Sequence, residues 1–426
     1  MTALEFEDGS VGFRQKIVLS ILSSQPIHIK NIRHKSKEPG IRPSELDLLK
    51  LISEISNGVI VKLNDTGCDV FFSPGTLIGG EVEFTCSTER GLGYYLEPIV
   101  LLSSFTKVSM ILTLNGITNN LIDPSVDVVT QSWLPFLKKF LPPASASSLK
   151  IVIKKRGVAP KGGGRIIFTS KPATFLSPIQ LIIPGKVYRQ DGLIDLDLHH
   201  LSRVRGVAWA CLVSPGIASQ LMYGAKKLLN SFLSDVYINI DHRKRGVGGE
   251  SSGFGMILWA ETKEGVFYTA EVCSAAESDT AVSVVPTIPS ELGFEAASRL
   301  LNQVYLGGCV DESLQSLALS LMALEGGRNA SQLLISEPTP HTIQTLRLLH
   351  KIMEVTFDLT YIDRVKLNEK KEEGGANESA GIGLQKEKVN PMNAREEGEE
   401  SSAECPVPLV AICFGSGLKN INLSVR

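Results

Sequence analysis

The chain has 426 residues, of which 43% are hydrophobic and 21% are charged, and its formal net charge is −2. This composition is that of an ordinary globular protein, and it excludes a globally disordered chain, a collagen-like sequence and a disulfide-rich mini-protein. The near-neutral charge excludes a protein that is basic throughout, but it is compatible with a local basic face that binds a polyanion.

Cysteine, histidine and apolar patterns exclude several further classes. Seven cysteines are spread along the chain without a Cys-x-x-Cys pair, which predicts reduced, mostly buried thiols in an intracellular protein. The histidines do not cluster with cysteines or acids, so no metal site and no cofactor are predicted. The acidic first twelve residues predict no signal peptide. Because no apolar run reaches 18 residues, neither a membrane span nor a membrane partner is expected.

In chain order, the apolar pattern first predicts an alternation of strands and helices. The predicted helices of this part cover residues 44–57, 91–104 and 124–140, the last with a kink at Pro135. The predicted strands cover residues 27–32, 59–63, 68–72, 108–114, 149–153 and 165–168, with another strand that ends at Phe84. Ser44 supplies an N-cap to the first helix, and Gly58 ends it.

The alternation of predicted strands and helices changes between about residues 186 and 286 and then resumes. The middle part contains predicted strands at 206–213, 236–241, 255–261 and 266–273, with a helix that starts at Pro215. The last part contains a helix after Pro289, a helix at 311–324, a strand at 332–335, a helix after Pro340 and strands at 354–362 and 406–414. We therefore predict two repeats of a large domain in residues 1–185, an inserted small α/β domain in 186–286, and a third repeat in 287–426.

One segment has a composition unlike the rest. Residues 366–404 contain ten acids, six bases and almost no large apolar side chains. A segment that cannot bury apolar surface stays disordered, so an acidic disordered insertion is predicted between the two flanking strands. It is interpreted either as an interaction tail or as a solvated loop. With its net charge of −4 removed, the remaining chain carries +2.

Three basic stretches with glycine or proline loops lie at residues 30–42, 150–165 and 241–249. Arginine and lysine side chains contact phosphates, and glycine lets backbone N–H groups approach an anion. Taken together the stretches predict a surface for RNA or another polyanion, although any one of them alone is better explained as a solvated loop. The candidate RNA- or anion-binding residues are Lys35, Lys37, Arg42, Arg90, Lys155, Arg156, Lys161 and Arg165.

Several motifs along nearly the whole chain, in order, resemble the RNA 3′-terminal phosphate cyclase superfamily. They are residues 37–42 (KEPGIR), 73–80 (SPGTLIGG), 90–97 (RGLGYYLE), 115–119 with 123–127, 156–164 (RGVAPKGGG), 203–206, 252–255 and the Val310-Asp311-Glu312 segment. The resemblance implies an α/β fold of three repeated βαβαββ units that form a large domain, with a smaller α/β insertion.

The departures from that family concern its chemistry. Cyclases carry a histidine that becomes covalently adenylated, and at that position this chain has Ser313. A serine hydroxyl is a poor replacement unless a base activates it. The family's glycine-rich N-terminal segment is also degraded, to residues 9–13 (GSVGF). We therefore predict no catalytic residue and no cyclase activity.

This combination resembles the non-cyclising branch of the superfamily. The resemblance implies a factor of the nucleus and nucleolus that acts in the small-subunit processome, in early pre-rRNA cleavages toward 18S rRNA, with pre-rRNA and a ribosome-biogenesis GTPase as partners. The alternative is an RNA endonuclease that reuses the cyclase groove, with residues such as Arg90 and Arg156 in the chemistry.

Overall fold

A computed structural model describes residues 3–182, 187–188, 194–195, 201–244, 246–274, 288–327, 329–361 and 408–424. The acidic segment at 366–404, predicted to be a disordered insertion, lies outside these residues. Within them, no helix combines the length and the apolar character that a membrane crossing requires.

The first repeated unit is a four-stranded sheet with two helices. Its elements are β1 (Leu4–Phe6), α1 (Phe13–Ser23), β2 (Ile27–Ile29), α2 (Pro43–Ile55), β3 (Ser56–Asn57), β4 (Ile60–Leu63), β5 (Val70–Ser73) and β6 (Thr76–Leu77). Helix α2 starts at a proline, and its Glu45 carboxylate accepts the backbone N–H of Arg42 at 2.9 Å. This bond satisfies an otherwise unpaired donor at the helix start.

The second unit has the same order of elements and an irregular second helix. Its elements are β7 (Gly80–Thr85), α3 (Leu92–Leu102), β8 (Met110–Gly116), α4 (Val126–Val128), α5 (Leu134–Lys138), α6 (Pro143–Ala146), β9 (Lys150–Lys155) and β10 (Gly164–Ser170). A π-helical turn, Val129–Trp133, separates α4 from α5 just before Pro135. The irregularity therefore lies at the place of the predicted kink, because proline removes one helical hydrogen bond.

The third unit is interrupted after its first strand, β11 (Gln180–Leu181). The interrupting elements are β12 (Val187–Tyr188), β13 (Ile194–Asp195), β14 (Leu201–Cys211), α7 (Pro215–Leu229), β15 (Val236–Arg243), β16 (Gly253–Thr262), β17 (Phe267–Cys273) and α8 (Pro289–Leu306). The unit then continues with α9 (Gln315–Ala323), β18 (Ser331–Ile335), α10 (Pro340–Met353), β19 (Phe357–Tyr361) and β20 (Leu409–Cys413).

Strand order confirms the predicted repeats. The three large sheets run β1-β2-β5-β4, β7-β8-β10-β9 and β11-β18-β20-β19. In each, the first two strands are parallel and the other two pairs are antiparallel. The inserted sheet has a different order, β15-β14-β16-β17. The α/β fold of three βαβαββ units with a smaller insertion is therefore the observed fold.

Helices α7 and α8 of the inserted segment cross at two glycines. A Cβ atom on Gly224 would lie 1.9 Å from the carbonyl oxygen of Ser290, and one on Gly293 would lie 2.0 Å from that of Leu221. Helix α8 also packs against β16 and β17. The boundary at residue 286 stays a prediction, but this packing attaches α8 to the inserted sheet.

Candidate functional site

Helices from the three units meet in a network of polar contacts. Arg14 of α1 forms an ion pair with Glu97 of α3 at 2.5 Å. The Gln15 amide nitrogen donates to the Glu97 carboxylate at 3.3 Å and lies 2.6 Å from His341 Nε2 of α10. The other ring nitrogen of His341 lies 2.7 Å from the Ser316 hydroxyl of α9. Groups far apart in the sequence are thus fixed in one place.

Two arginines flank one aromatic ring beside this network of polar contacts. The guanidinium carbons of Arg14 and Arg90 each lie 4.5 Å from the ring centroid of Tyr94. Asp123 holds Arg90 by bonds from Nε at 2.9 and 3.0 Å, and it accepts the backbone N–H of Gly91. Because ion pairs and cation–π contacts fix the guanidinium planes, these arginines are positioned before any ligand arrives.

Ser313, which the resemblance predicts to be at the position of the cyclase nucleophile, lies just before α9. Its hydroxyl donates to Asp311 Oδ1 at 2.7 Å and lies 3.5 Å from the Trp133 indole nitrogen, which donates to it. Burial raises the pKa of the Asp311 carboxyl, whereas hydrogen bonds from Thr269 and Ser313 lower it. Among the described residues, no imidazole hydrogen-bonds to Ser313, so a serine–histidine relay is not formed there.

Ser313 borders a cavity of about 270 Å³ between the second unit, the inserted sheet and α9. The other lining residues are Asn120, Leu121, Ile122, Asp123, Pro124, Val128, Thr269, Ala270, Glu271, Val272, Cys273 and Arg299. Burial raises the pKa of Glu271 to about 7, although hydrogen bonding from Ser125 lowers it. Of the described residues, no group of three or more histidines, cysteines and acids could hold a metal ion.

The candidate RNA-binding residues fall into two groups. In the first, Lys35 and Lys37 are exposed on the loop that leads to α2. Arg42 is also exposed, and its Nε lies 3.9 Å from Glu89, the residue before Arg90. The loop thus extends toward the arginine pair around Tyr94.

The second group lies at the end of the β9–β10 hairpin. Lys155 is half-buried, and Lys161 is exposed, with its backbone N–H donated to Ser251 Oγ at 2.9 Å. Arg165 is exposed and pairs with Glu83 at 3.1 Å. Residues 118–123 connect the two groups. The Thr118 hydroxyl donates to the backbone oxygen of Gly157, next to Arg156, and the Asp123 carboxylate accepts a bond from Arg90. The two groups are therefore linked through one loop.

Arg156 differs from the other seven candidates, because it is buried, with 2% of its surface exposed. Its guanidinium donates to Asp127 at 2.5 and 3.1 Å, to Asn119 at 2.8 Å and to Asp241 at 3.2 Å. The Arg156 charge lowers the pKa of Asp127 against the effect of desolvation. In this arrangement Arg156 cannot contact RNA; it connects the second unit to β15.

Sequence reasoning did not select Glu271 or Arg299 for this site, and it selected Asp311 only as part of the Val310-Asp311-Glu312 motif. Glu271 lies in a strand whose neighbours in sequence show no motif, and its surroundings come from the second unit and from α9. Arg14 and Gln15 directly follow the degraded glycine-rich segment at residues 9–13, which is the motif nearest to them. The other candidate residues were selected by their positive charge, and charge does not show whether a side chain is buried.

Known proteins are similar to this chain over most of its length. A family model described as RNA 3′-terminal phosphate cyclase matches residues 5–359. The chain is 40% identical over 346 residues to the RNA 3′-terminal phosphate cyclase-like protein of Homo sapiens, covering 81% of this chain and 87% of that one. It is 37% identical over 418 residues to the probable RNA 3′-terminal phosphate cyclase-like protein of Drosophila melanogaster, covering 98% and 96%. It is 35% identical over 310 residues to the rRNA processing protein rcl1 of Schizosaccharomyces pombe, covering 72% and 78%.

Proposed function

We propose a function from the premise that this chain belongs to the RNA 3′-terminal phosphate cyclase family: the protein acts in the processing of ribosomal RNA and does not cyclise RNA ends. The observation that carries the proposal is Ser313 at the nucleophile position, bonded to Asp311 and Trp133. The name of the fission-yeast relative supports the link to rRNA processing. A preserved scaffold without its nucleophile suits a binding role.

In finer terms, we propose that the protein works in the nucleolus, within the small-subunit processome, at early cleavages toward 18S rRNA. Its partners would be pre-rRNA and a ribosome-biogenesis GTPase. The exposed cations Lys35, Lys37 and Arg42 support an RNA surface beside Arg90, and the exposed Lys161 supports its extension to the β9–β10 hairpin. The endonuclease alternative would require loss of cleavage, with RNA binding kept, in Arg90→Ala.

Incubation with ATP labelled in its α-phosphate tests the loss of the nucleophile. We expect no covalent label on the wild-type protein, because a serine hydroxyl replaces the imidazole nucleophile and no histidine among the described residues hydrogen-bonds to Ser313. A Ser313→His variant run in parallel reports on the pocket: label on it alone would show that the nucleotide site survives without its nucleophile. Label on the wild-type protein would overturn the proposal.

Binding of a fluorescent single-stranded RNA at several salt concentrations tests the RNA surface. We expect Lys35→Ala/Lys37→Ala to weaken binding about 10-fold, because phosphate contacts provide most of the affinity. The slope of the logarithm of the association constant against the logarithm of salt concentration is negative, and its magnitude should decrease by about 1.4 for two lost contacts. The control is Lys171→Ala/Lys227→Ala, which removes two exposed lysines elsewhere. Equal binding by the two variants would show that the loop before α2 does not contact RNA.

A further inference from the structure

The cavity beside Ser313 has one lining carboxylate without an opposite charge. Asp123 is paired with Arg90, and Arg299 Nε donates to Glu295 at 2.8 Å. Glu271 accepts the Ser125 backbone N–H at 3.0 and 3.3 Å, and within the described part of the chain it forms no ion pair. A carboxylate in this setting lacks the countercharge that normally accompanies burial.

The rim of the same cavity is apolar and exposed. Ile122 is 69% exposed and Leu121 is 37% exposed, and both belong to the loop that forms one wall. Pro124, Val128 and Val272 are further apolar residues of the lining, to which Glu271 also belongs. A ligand that fills the cavity therefore meets apolar groups at the mouth and a carboxylate inside.

We propose that this cavity binds the guanidinium group of an arginine in a protein partner, on a segment with an apolar residue next to that arginine. A planar guanidinium donates two parallel bonds to a carboxylate, and its aliphatic stem packs on apolar walls. The neighbouring apolar residue would cover Ile122. The inference goes beyond the proposed role in rRNA processing and does not depend on RNA binding.

Charge complementarity also favours a guanidinium over a phosphate as the ligand of this cavity. The charged groups around the Glu271 carboxylate are Asp127 of α4 and Asp311 before α9, which both raise its pKa. Arg299 of α8 directs its guanidinium to the Glu271 backbone oxygen, at 3.4 Å, and to Glu295. A phosphate in the cavity would meet the carboxylates of Asp123 and Glu271 and an arginine that is already paired, so RNA is expected on the basic loops instead.

Proton linkage gives the expected pH dependence. With a pKa of about 7, Glu271 is largely protonated at pH 6 and largely ionised at pH 8. A guanidinium binds the ionised form, so its affinity should rise about 10-fold between pH 6 and pH 8 as that form becomes populated. The side chain of the Glu271→Gln variant cannot ionise, so its affinity for a guanidinium should not depend on pH.

Isothermal titration of the full chain with acetyl-Leu-Arg-Leu-amide tests the proposal. The matched ligand is the peptide with citrulline in place of arginine, which keeps the shape and removes the charge. We expect the arginine peptide to bind at least about 10-fold more tightly at pH 8 than the citrulline peptide. Glu271→Gln should abolish this preference, and Glu291→Gln, an exposed glutamate outside the lining of the cavity, should keep it.

Ile122→Ser is a second variant that does not disturb the interior, because this side chain is mostly exposed. It should weaken the arginine peptide through loss of apolar contact and leave the pH dependence intact. Equal binding of the two peptides, an unaffected Glu271→Gln variant, or no binding up to about 5 mM would each overturn the proposal. RNA affinity measured on the same variants should not change, which separates this inference from the RNA surface.

Discussion

Arg156→Met should lower the free energy of unfolding by about 3–5 kcal/mol, the range measured when one partner of a buried ion pair is removed. The substitution leaves the carboxylates of Asp127 and Asp241 without the guanidinium that both contact. Asn119 also loses a donor. Urea unfolding followed by tryptophan fluorescence measures the change, and Trp209 lies 5.5 Å from the guanidinium. Arg156→Lys should recover little, since an ammonium group cannot form the same bidentate contact.

The matched control is Arg165→Met on the neighbouring strand β10. Arg165 also pairs with a carboxylate, but its side chain is 47% exposed and that of Glu83 is 54% exposed. Exposed pairs contribute roughly 0–1 kcal/mol, because water screens them. Losses of similar size in the two variants would show that burial of Arg156 does not determine its contribution. In that case its assignment to a structural role would be wrong.

Gly224→Ala should also destabilise the protein strongly, by about 1–3 kcal/mol or more. The added methyl group would lie 1.9 Å from a backbone oxygen of α8. A backbone atom cannot rotate away as a side chain can, so the two helices must separate. Thermal unfolding followed by circular dichroism measures the effect.

Gly216 provides the control within the same helix, α7. The nearest atom to a Cβ placed there is Ser214 Oγ at 3.6 Å, an ordinary contact distance. Alanine at this position should leave stability unchanged or raise it by up to about 1 kcal/mol, because glycine is the poorer helix former. If both variants lose stability equally, the cause is a property of the helix rather than its close crossing with α8.

Helices with one apolar face could be predicted from the sequence, whereas helix α1 and the strands β1 and β11 could not. Helices α2, α7 and α10 combine a buried stripe with a proline at the start. Helix α1 was not predicted, because polar residues such as Gln15 and Lys16 are buried along with the apolar ones. Strands β1 and β11 have three and two residues, too few for a pattern of alternation.

Only part of the candidate site could be predicted from the sequence. Charge and loop composition selected Arg156 together with Lys155 and Lys161, but they could not distinguish a buried cation from an exposed one. One carboxylate partner of Arg156, Asp241, is 85 residues away in sequence. The absence of a histidine at Ser313 could be read directly, whereas its bond to Trp133 spans 180 residues.

Strand β20 lies between β18 and β19 in its sheet, although it comes last in the chain. Synthesis therefore has to reach residues 409–413 before the third unit can close, while the strands of the first two units are complete by Ser170. Residues beyond β20 then fasten this unit to the second, through bonds from Asn420 to Ser104 and Thr106. Such late, distant pairing slows folding and leaves strand edges unpaired in the meantime. A chain that ends before residue 409 would keep the first two large sheets and the inserted sheet complete, and the third large sheet would stay open.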